Sequence, residues 1–147
     1  MASFRNIDPD VHFFQPNDRC DYYSPDSISN YLNDNDNKCI RAIHINIRSC
    51  KKNLNEFFIN LDAIRSKFSI IISTETWLNC IEDFQDVIGF VSYLSIRQER
   101  QGGGVSILVK SNLESKLVPH LTTVNDVFET LSVEFKMKNK VYKIIGT

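Results

Sequence analysis

Paired cysteines are missing from this chain. Cys20, Cys39, Cys50 and Cys80 stand far apart with no Cys-x-x-Cys spacing, and His12, His44 and His120 are equally scattered. That distribution argues against a zinc finger and for reduced thiols. Long apolar runs are missing too, so no segment has the length of a membrane-spanning helix. The first residues, Met1–Asp8, lack the apolar core of a signal peptide, and the expectation is an intracellular protein. Nor does one sign of charge dominate. Seventeen Lys and Arg face eighteen Asp and Glu, a net of −1 that by itself says little about partners.

What is present describes an ordinary globular chain: 147 residues, 42% hydrophobic and 24% charged, fit a single domain. The charge is unevenly placed. Residues 1–38 carry seven Asp against Arg5, Arg19 and Lys38, a net of −4, whereas residues 39–147 carry 14 Lys or Arg against 11 Asp or Glu, a net of +3. The first stretch is rich in Asn, Asp, Ser and Pro and reads as a polar acidic leader, mostly loop. Ser24-Pro25 could cap a short helix running to Leu32.

Regular structure is expected over 39–147. Between Ile40 and Ile47, Ile43, Ile45 and Ile47 alternate with Ala42, His44 and Asn46, which predicts a strand. Leu54, Phe57, Phe58, Leu61 and Ile64 then recur at helical spacing, with Asn53 placed as the cap. Phe68–Ser73 predicts a second strand. Its apolar run Ile70-Ile71-Ile72 breaks into Ser73-Thr74-Glu75-Thr76-Trp77, which sets a carboxylate on the strand's carboxyl-terminal lip. Ligands and metals are usually held at that lip in layered α/β proteins. Strand, helix, strand in so short a stretch is a βαβ unit with parallel strands, so Asn46 and Glu75 fall at the same sheet edge.

Residues 81–95 are less regular and read as a connecting loop with room for one short element. After Gly102-Gly103-Gly104, Val105, Ile107 and Val109 alternate, as do Val127, Glu129, Leu131, Val133 and Phe135. Met137-Lys138-Asn139-Lys140 predicts a turn into Val141–Gly146, so this part is read as antiparallel hairpins. The glycine run lacks the Gly-Lys-Ser/Thr ending of a phosphate-binding loop and precedes a strand, not a helix. It is expected to give backbone freedom or close approach at a strand start.

Four pieces in this order resemble the endonuclease/exonuclease/phosphatase superfamily. They are His44-Ile45-Asn46-Ile47-Arg48-Ser49, then Ser73-Thr74-Glu75-Thr76-Trp77-Leu78, then Arg97 through Gly102-Gly103-Gly104-Val105-Ser106-Ile107-Leu108-Val109-Lys110, and Phe128-Glu129 through Ile144-Ile145-Gly146-Thr147. They are most similar to the apurinic-site-like endonuclease domain of non-LTR retrotransposons, whose leader Cys20-Asp21-Tyr22-Tyr23 also resembles. The resemblance covers about residues 20–147. It implies the amino-terminal part of an α/β (α+β) two-sheet β-sandwich flanked by helices, and Mg²⁺-dependent hydrolysis of DNA phosphodiester bonds. Glu75 matches the family's metal-binding glutamate and Asn46 its asparagine beside the metal and scissile phosphate. Arg48, Arg97 and Arg100 are candidate phosphate contacts, Trp77 is expected to pack under the site, and His44 is read as structural.

On the residues alone, Glu75 could instead cap the next turn and Asn46 satisfy a strand-end backbone group. The family continues with a Tyr-Arg-Pro type strand, an Asp-x-Asn segment and a terminal Ser-Asp-His segment, which supply the activator of the attacking water and the leaving-group acid. None of these occurs in the 147 residues, since His120 and Asp126 precede the last hairpin. The expectation is therefore a truncated, catalytically incomplete domain with DNA as partner, no membrane and no obvious protein partner. It would be nuclear if part of an active element. A non-catalytic binding module on the same fold, or a phosphatase of the superfamily, is the alternative.

Overall fold

The computed structural model describes Leu32 and residues 39–84, 86–97, 102–125 and 127–147. The acidic leader with its Ser24–Leu32 helix, Leu32 apart, and Arg100 lie outside the described residues. The architecture is mixed α/β, mostly strands in two sheets with few helices. In order come β1 (Ala42–Asn46), α1 (Cys50–Ile64), β2 (Ile70–Thr74), β3 (Phe90–Ser95), β4 (Val105–Lys110), β5 (Ser115–Leu117), β6 (Thr123–Val124), β7 (Glu129–Met137) and β8 (Lys140–Gly146). Single 3₁₀ turns occupy Arg65–Lys67, Ile81–Asp83 and Pro119–Leu121.

The first sheet runs β1-β2-β4-β3. As expected, β1 and β2 are parallel, with Asn46 opposite Thr74. β4 lies antiparallel to both β2 and β3. In the second sheet β7 pairs with β5, β6 and β8, all antiparallel. Lys138 and Asn139 make the β7–β8 turn with φ of 48° and 63°. Positive φ at both central positions is what a tight two-residue hairpin needs.

Two cores flank the first sheet, and β2 and β4 serve both. Ile71 and Leu108 join Leu61 of the helix, Phe68, Leu78, Phe84 and Val87. Ile70, Val105, Ile107 and Val109 point the other way, against Leu131, Val133 and Phe135 of β7. This is why Ile70-Ile71-Ile72 shows no polar alternation: a strand covered on both faces is apolar on both. Each fully buried side chain of this kind contributes about 1.5–3 kcal/mol.

The helix begins earlier than its apolar spacing predicts. Ser49, not Asn53, is the cap: its hydroxyl accepts the Lys52 amide at 3.2 Å. Asn53 sits inside the first turns, and its side-chain amide donates to the Ile47 and Arg48 carbonyls at 2.8 and 3.0 Å. It thereby fixes the turn that follows Asn46. Of the predicted apolar stripe, Leu61 is buried, while the side chains of Leu54, Phe57, Phe58 and Ile64 lie outside those described. The stretch 81–95, read as a loop with room for one short element, ends in β3.

Cys50 caps the inner end of this junction. It is fully buried, and burial pushes its thiol up to about 11. It should stay a protonated, unreactive thiol near neutral pH, since only the thiolate attacks electrophiles. Iodoacetamide labelling of the native chain, mapped by mass spectrometry, is expected to modify the exposed Cys39 and Cys80 and spare Cys50 until denaturant is added. Rapid native labelling of Cys50 would show that the β1–α1 junction opens.

Candidate functional site

The carboxyl-terminal ends of β1 and β2 hold the two residues the sequence singles out. Beyond its last ladder residue, β2 continues as Glu75, Thr76 and Trp77 between two backbone walls. On one side the amides of Ile47, Ser49 and Cys50 donate to the carbonyls of Thr74, Glu75 and Thr76 at 3.1, 2.8 and 2.7 Å. On the other, the amides of Thr76 and Trp77 donate to the carbonyls of Gly104 and Gly103 at 3.2 and 2.9 Å. Glu75 and Trp77 have φ of 56° and 53°, a left-handed backbone that non-glycine residues adopt only where surroundings impose it. The walls on both sides impose it here.

This geometry aims the Glu75 side chain back across the lip. Its Oε2 accepts the Trp77 indole N–H at 2.6 Å and the Gly103 amide at 3.1 Å. The Trp77 bond and then the Gly103 bond hold the carboxyl below its usual range, and the charges of Arg48 and Arg97 add to this. The carboxylate form is the stabilised one. Its stabilisation is therefore present above the ordinary glutamate range and is lost only as pH falls through the lowered value. Both bonds fall on Oε2, and Oε1 takes none among the described residues. Trp77, expected as packing, is thus also a donor to the carboxylate.

Asn46 is the last residue of β1, one position out of register with Glu75 on the adjacent strand. Parallel neighbours are about 4.8 Å apart, so the two ends are side by side. Asn46 is exposed, and its Oδ1 accepts the Arg48 amide at 3.3 Å, a short turn of its own. His44, also exposed, has Nε2 3.0 Å from the Thr74 hydroxyl. It ties β1 to β2 below the lip, in keeping with a structural role.

A second carboxylate stands behind the first. Glu129, at the start of β7, is buried, and its Oε2 accepts the Gly104 amide. Arg97 brings its Nε to 3.5 Å from the other oxygen and donates to the Asn125 carbonyl at 3.2 Å. Consecutive glycine amides therefore serve consecutive carboxylates, Gly103 to Glu75 and Gly104 to Glu129. The sequence reading gave Glu129 no role beyond its place in an alternating strand. The signal was there: a carboxylate at an inward position among Leu131, Val133 and Phe135. Of the candidate phosphate contacts, Arg48 stands by the lip and Arg97 is engaged by Glu129; Lys51, in the first turn of α1, pairs with Asp83 at 3.5 Å.

As a metal centre this donor set is small. Among the described residues no three His, Cys, Asp or Glu side chains gather. One stabilised carboxylate beside one amide oxygen still suits Mg²⁺, which keeps most of its waters and takes one or two carboxylates plus phosphate oxygens. It does not suit zinc, which asks for three or four side-chain ligands. No helix among the described residues is long and apolar enough to cross a membrane. In comparisons with known proteins, no protein-family model matches the chain and no curated protein does.

Proposed function

We propose that these residues form the amino-terminal part of an endonuclease/exonuclease/phosphatase fold of the non-LTR retroelement type. Its activity is hydrolysis of DNA phosphodiester bonds, of which these 147 residues carry one corner. The observation that supports this reading is the Glu75 carboxylate on the β2 lip, kept ionised by the Trp77 and Gly103 N–H groups and flanked by Asn46 at the end of the parallel strand.

Glu75 would bind Mg²⁺ through its open oxygen, with Asn46 orienting a water or phosphate oxygen beside it. The ion would stabilise charge on the phosphate and on the leaving oxygen. Arg48, exposed next to this pair, would meet the DNA backbone. A base to activate water and an acid for the leaving group are needed as well, and the reading assigns neither to the described residues. The chain alone is therefore expected to bind a divalent ion without turnover.

Trp77 is the only tryptophan and donates directly to Glu75, which makes its fluorescence a reporter of that carboxylate. Mn²⁺, a quenching stand-in for Mg²⁺, is expected to quench Trp77 saturably, with Mg²⁺ reversing the effect. Glu75→Ala should weaken this about tenfold or more, since even the groups that only orient a metal ligand typically cost that much when removed. The same purified chain should leave supercoiled plasmid intact in Mg²⁺. Unsaturable quenching, or quenching equal in Glu75→Ala, would remove the metal site; nicking that depends on Glu75 would overturn the predicted inactivity.

A further inference from the structure

The connection between β6 and β7 carries a feature that the proposed metal corner does not use. Loop tips are ordinarily polar, yet this one ends in Val127 and Phe128, 87% and 54% exposed. Val127 is in step with the inward residues Leu131, Val133 and Phe135, but β7 begins only at Glu129, which leaves the valine in solvent. Val124 of β6 and Leu121 of the preceding 3₁₀ turn are exposed as well. Four large apolar residues in one short hairpin are more than the single exposed side chain that any surface shows.

The tip is fixed in shape. The Asn125 side-chain oxygen accepts the amides of Val127 and Phe128 at 2.8 and 2.9 Å, and the Asn125 amide donates to the Phe128 carbonyl at 3.2 Å. From outside the hairpin, the Arg97 guanidinium donates to the Asn125 carbonyl at 3.2 Å. An Asn that closes a turn with its own side chain presets the backbone, so less ordering is left to a ligand. The tip also lies at the Glu75 end of the sandwich. Phe128 precedes Glu129, whose carboxylate takes the Gly104 amide, and the neighbouring Gly103 amide goes to Glu75. That path keeps Phe128 within roughly 18 Å of the Glu75 carboxylate, the length of four or five Cα–Cα steps. A stacked nucleic-acid strand covers this span in about five nucleotides, at ~3.4 Å each.

We propose that Phe128, with Val127 beside it in the chain, holds an unpaired base of the DNA strand whose phosphate lies at Glu75. The proposal rests on the nuclease reading and adds a substrate class to it: DNA with an unpaired or readily unstacked step. An aromatic ring gains little from phosphates, the part assigned to Arg48, and much from the face of a base. In a paired duplex those faces are covered, and freeing one costs energy that an unpaired step does not.

The test is fluorescence anisotropy with the full 147-residue chain at low salt and EDTA, using a short labelled single strand and the fully paired duplex of the same sequence. Phe128→Ala is expected to weaken single-strand binding about fivefold or more, the effect of losing one base stacked on an aromatic ring. The duplex should change little, and the slope of affinity against salt should stay the same, because no phosphate contact is removed. Phe128→Tyr, which keeps the ring, should bind as the parent does. An unchanged thermal midpoint shows that Phe128→Ala is folded; if it is not, Phe128→Leu, which keeps the bulk without the ring, takes its place with the same expected loss. Arg48→Gln should instead weaken both DNAs and flatten the salt slope by about one. Binding that responds to Arg48→Gln and not to Phe128→Ala would overturn the proposal and leave the nuclease reading standing. Equal weakening of single strand and duplex by Phe128→Ala would overturn it as well. So would self-association of the chain that Phe128→Ala abolishes, since the tip would then be a protein-docking surface. A chain that binds neither DNA would remove both readings together.

Discussion

Gly104→Ala is expected to lower stability by about 3–4 kcal/mol, near 10 °C in thermal midpoint for a chain of this size. Two costs add. Gly104 has φ of 85°, where an L side chain costs roughly 1–2 kcal/mol. A methyl group there would also run into the Thr76 hydroxyl oxygen and stand 3.4 Å from the Ser95 carbonyl. Overfilling a packed site typically costs about 1–3 kcal/mol. Neither neighbour can withdraw easily, because Thr76 is fully buried and its amide bonds the Gly104 carbonyl at 3.2 Å. The two costs can be separated. Thr76→Ala removes the colliding oxygen, which takes no hydrogen bond among the described residues, together with one buried methyl group, so alone it should cost about 1 kcal/mol. In the double variant roughly half of the Gly104→Ala loss should return, leaving the backbone part. Chemical unfolding of the four proteins checks this. Strict additivity of the two substitutions would mean that the steric overlap contributes nothing.

The glycine run shows where sequence reasoning reaches and where it stops. Three consecutive glycines before a strand imply close approach of backbone to something, but not to what. The partners, Glu75 and Glu129, lie 28 and 25 residues away, and only the packing of β4 between β2 and β3, with β7 behind, brings them there. By contrast, the nearness of Asn46 and Glu75 was legible, because strand, helix, strand connectivity alone places both at one edge. The start of α1 was misplaced for a local reason. Its first turn, Cys50-Lys51-Lys52, carries no periodic apolar signal, and Ser49 and Asn53 are both residues that cap helices. Asn53 is drawn instead to the carbonyls of the β1–α1 turn. The type and bounds of β3 are not legible because Phe90–Ser95 shows no clean alternation, with both faces partly covered. β5 and β6, three and two residues long, exist only because β7 offers them a partner.

Glu129→Ala should be as damaging as the glycine substitution and should also reach the candidate site. Glu129 is buried, accepts the Gly104 amide and faces the Arg97 guanidinium, whose side chain is only 19% exposed. Removing the carboxylate leaves the buried Gly104 donor unmet and takes the Glu129 charge away from a largely buried cation that keeps its bond to the Asn125 carbonyl, a loss of about 3 kcal/mol. Glu129→Gln keeps an oxygen for the Gly104 amide and should recover part of this. Equal losses for Ala and Gln would assign the whole effect to charge. The consequence for Glu75 follows from the chain itself. Gly103 and Gly104 are adjacent, so a loosened Gly104 amide loosens the Gly103 amide, one of the two donors that hold the Glu75 carboxyl low. In metal-free buffer, Trp77 fluorescence of the Gln variant should therefore titrate at a higher pH than that of the parent chain. Fewer donors to the anion favour the protonated acid, whereas losing the Glu129 charge beside Arg97 favours the anion; the rise is expected because a direct N–H bond outweighs the more distant charge. A titration midpoint unchanged in a folded Glu129→Gln chain would show that the Trp77 bond alone sets Glu75, and that Glu129 supports the fold without tuning the carboxylate.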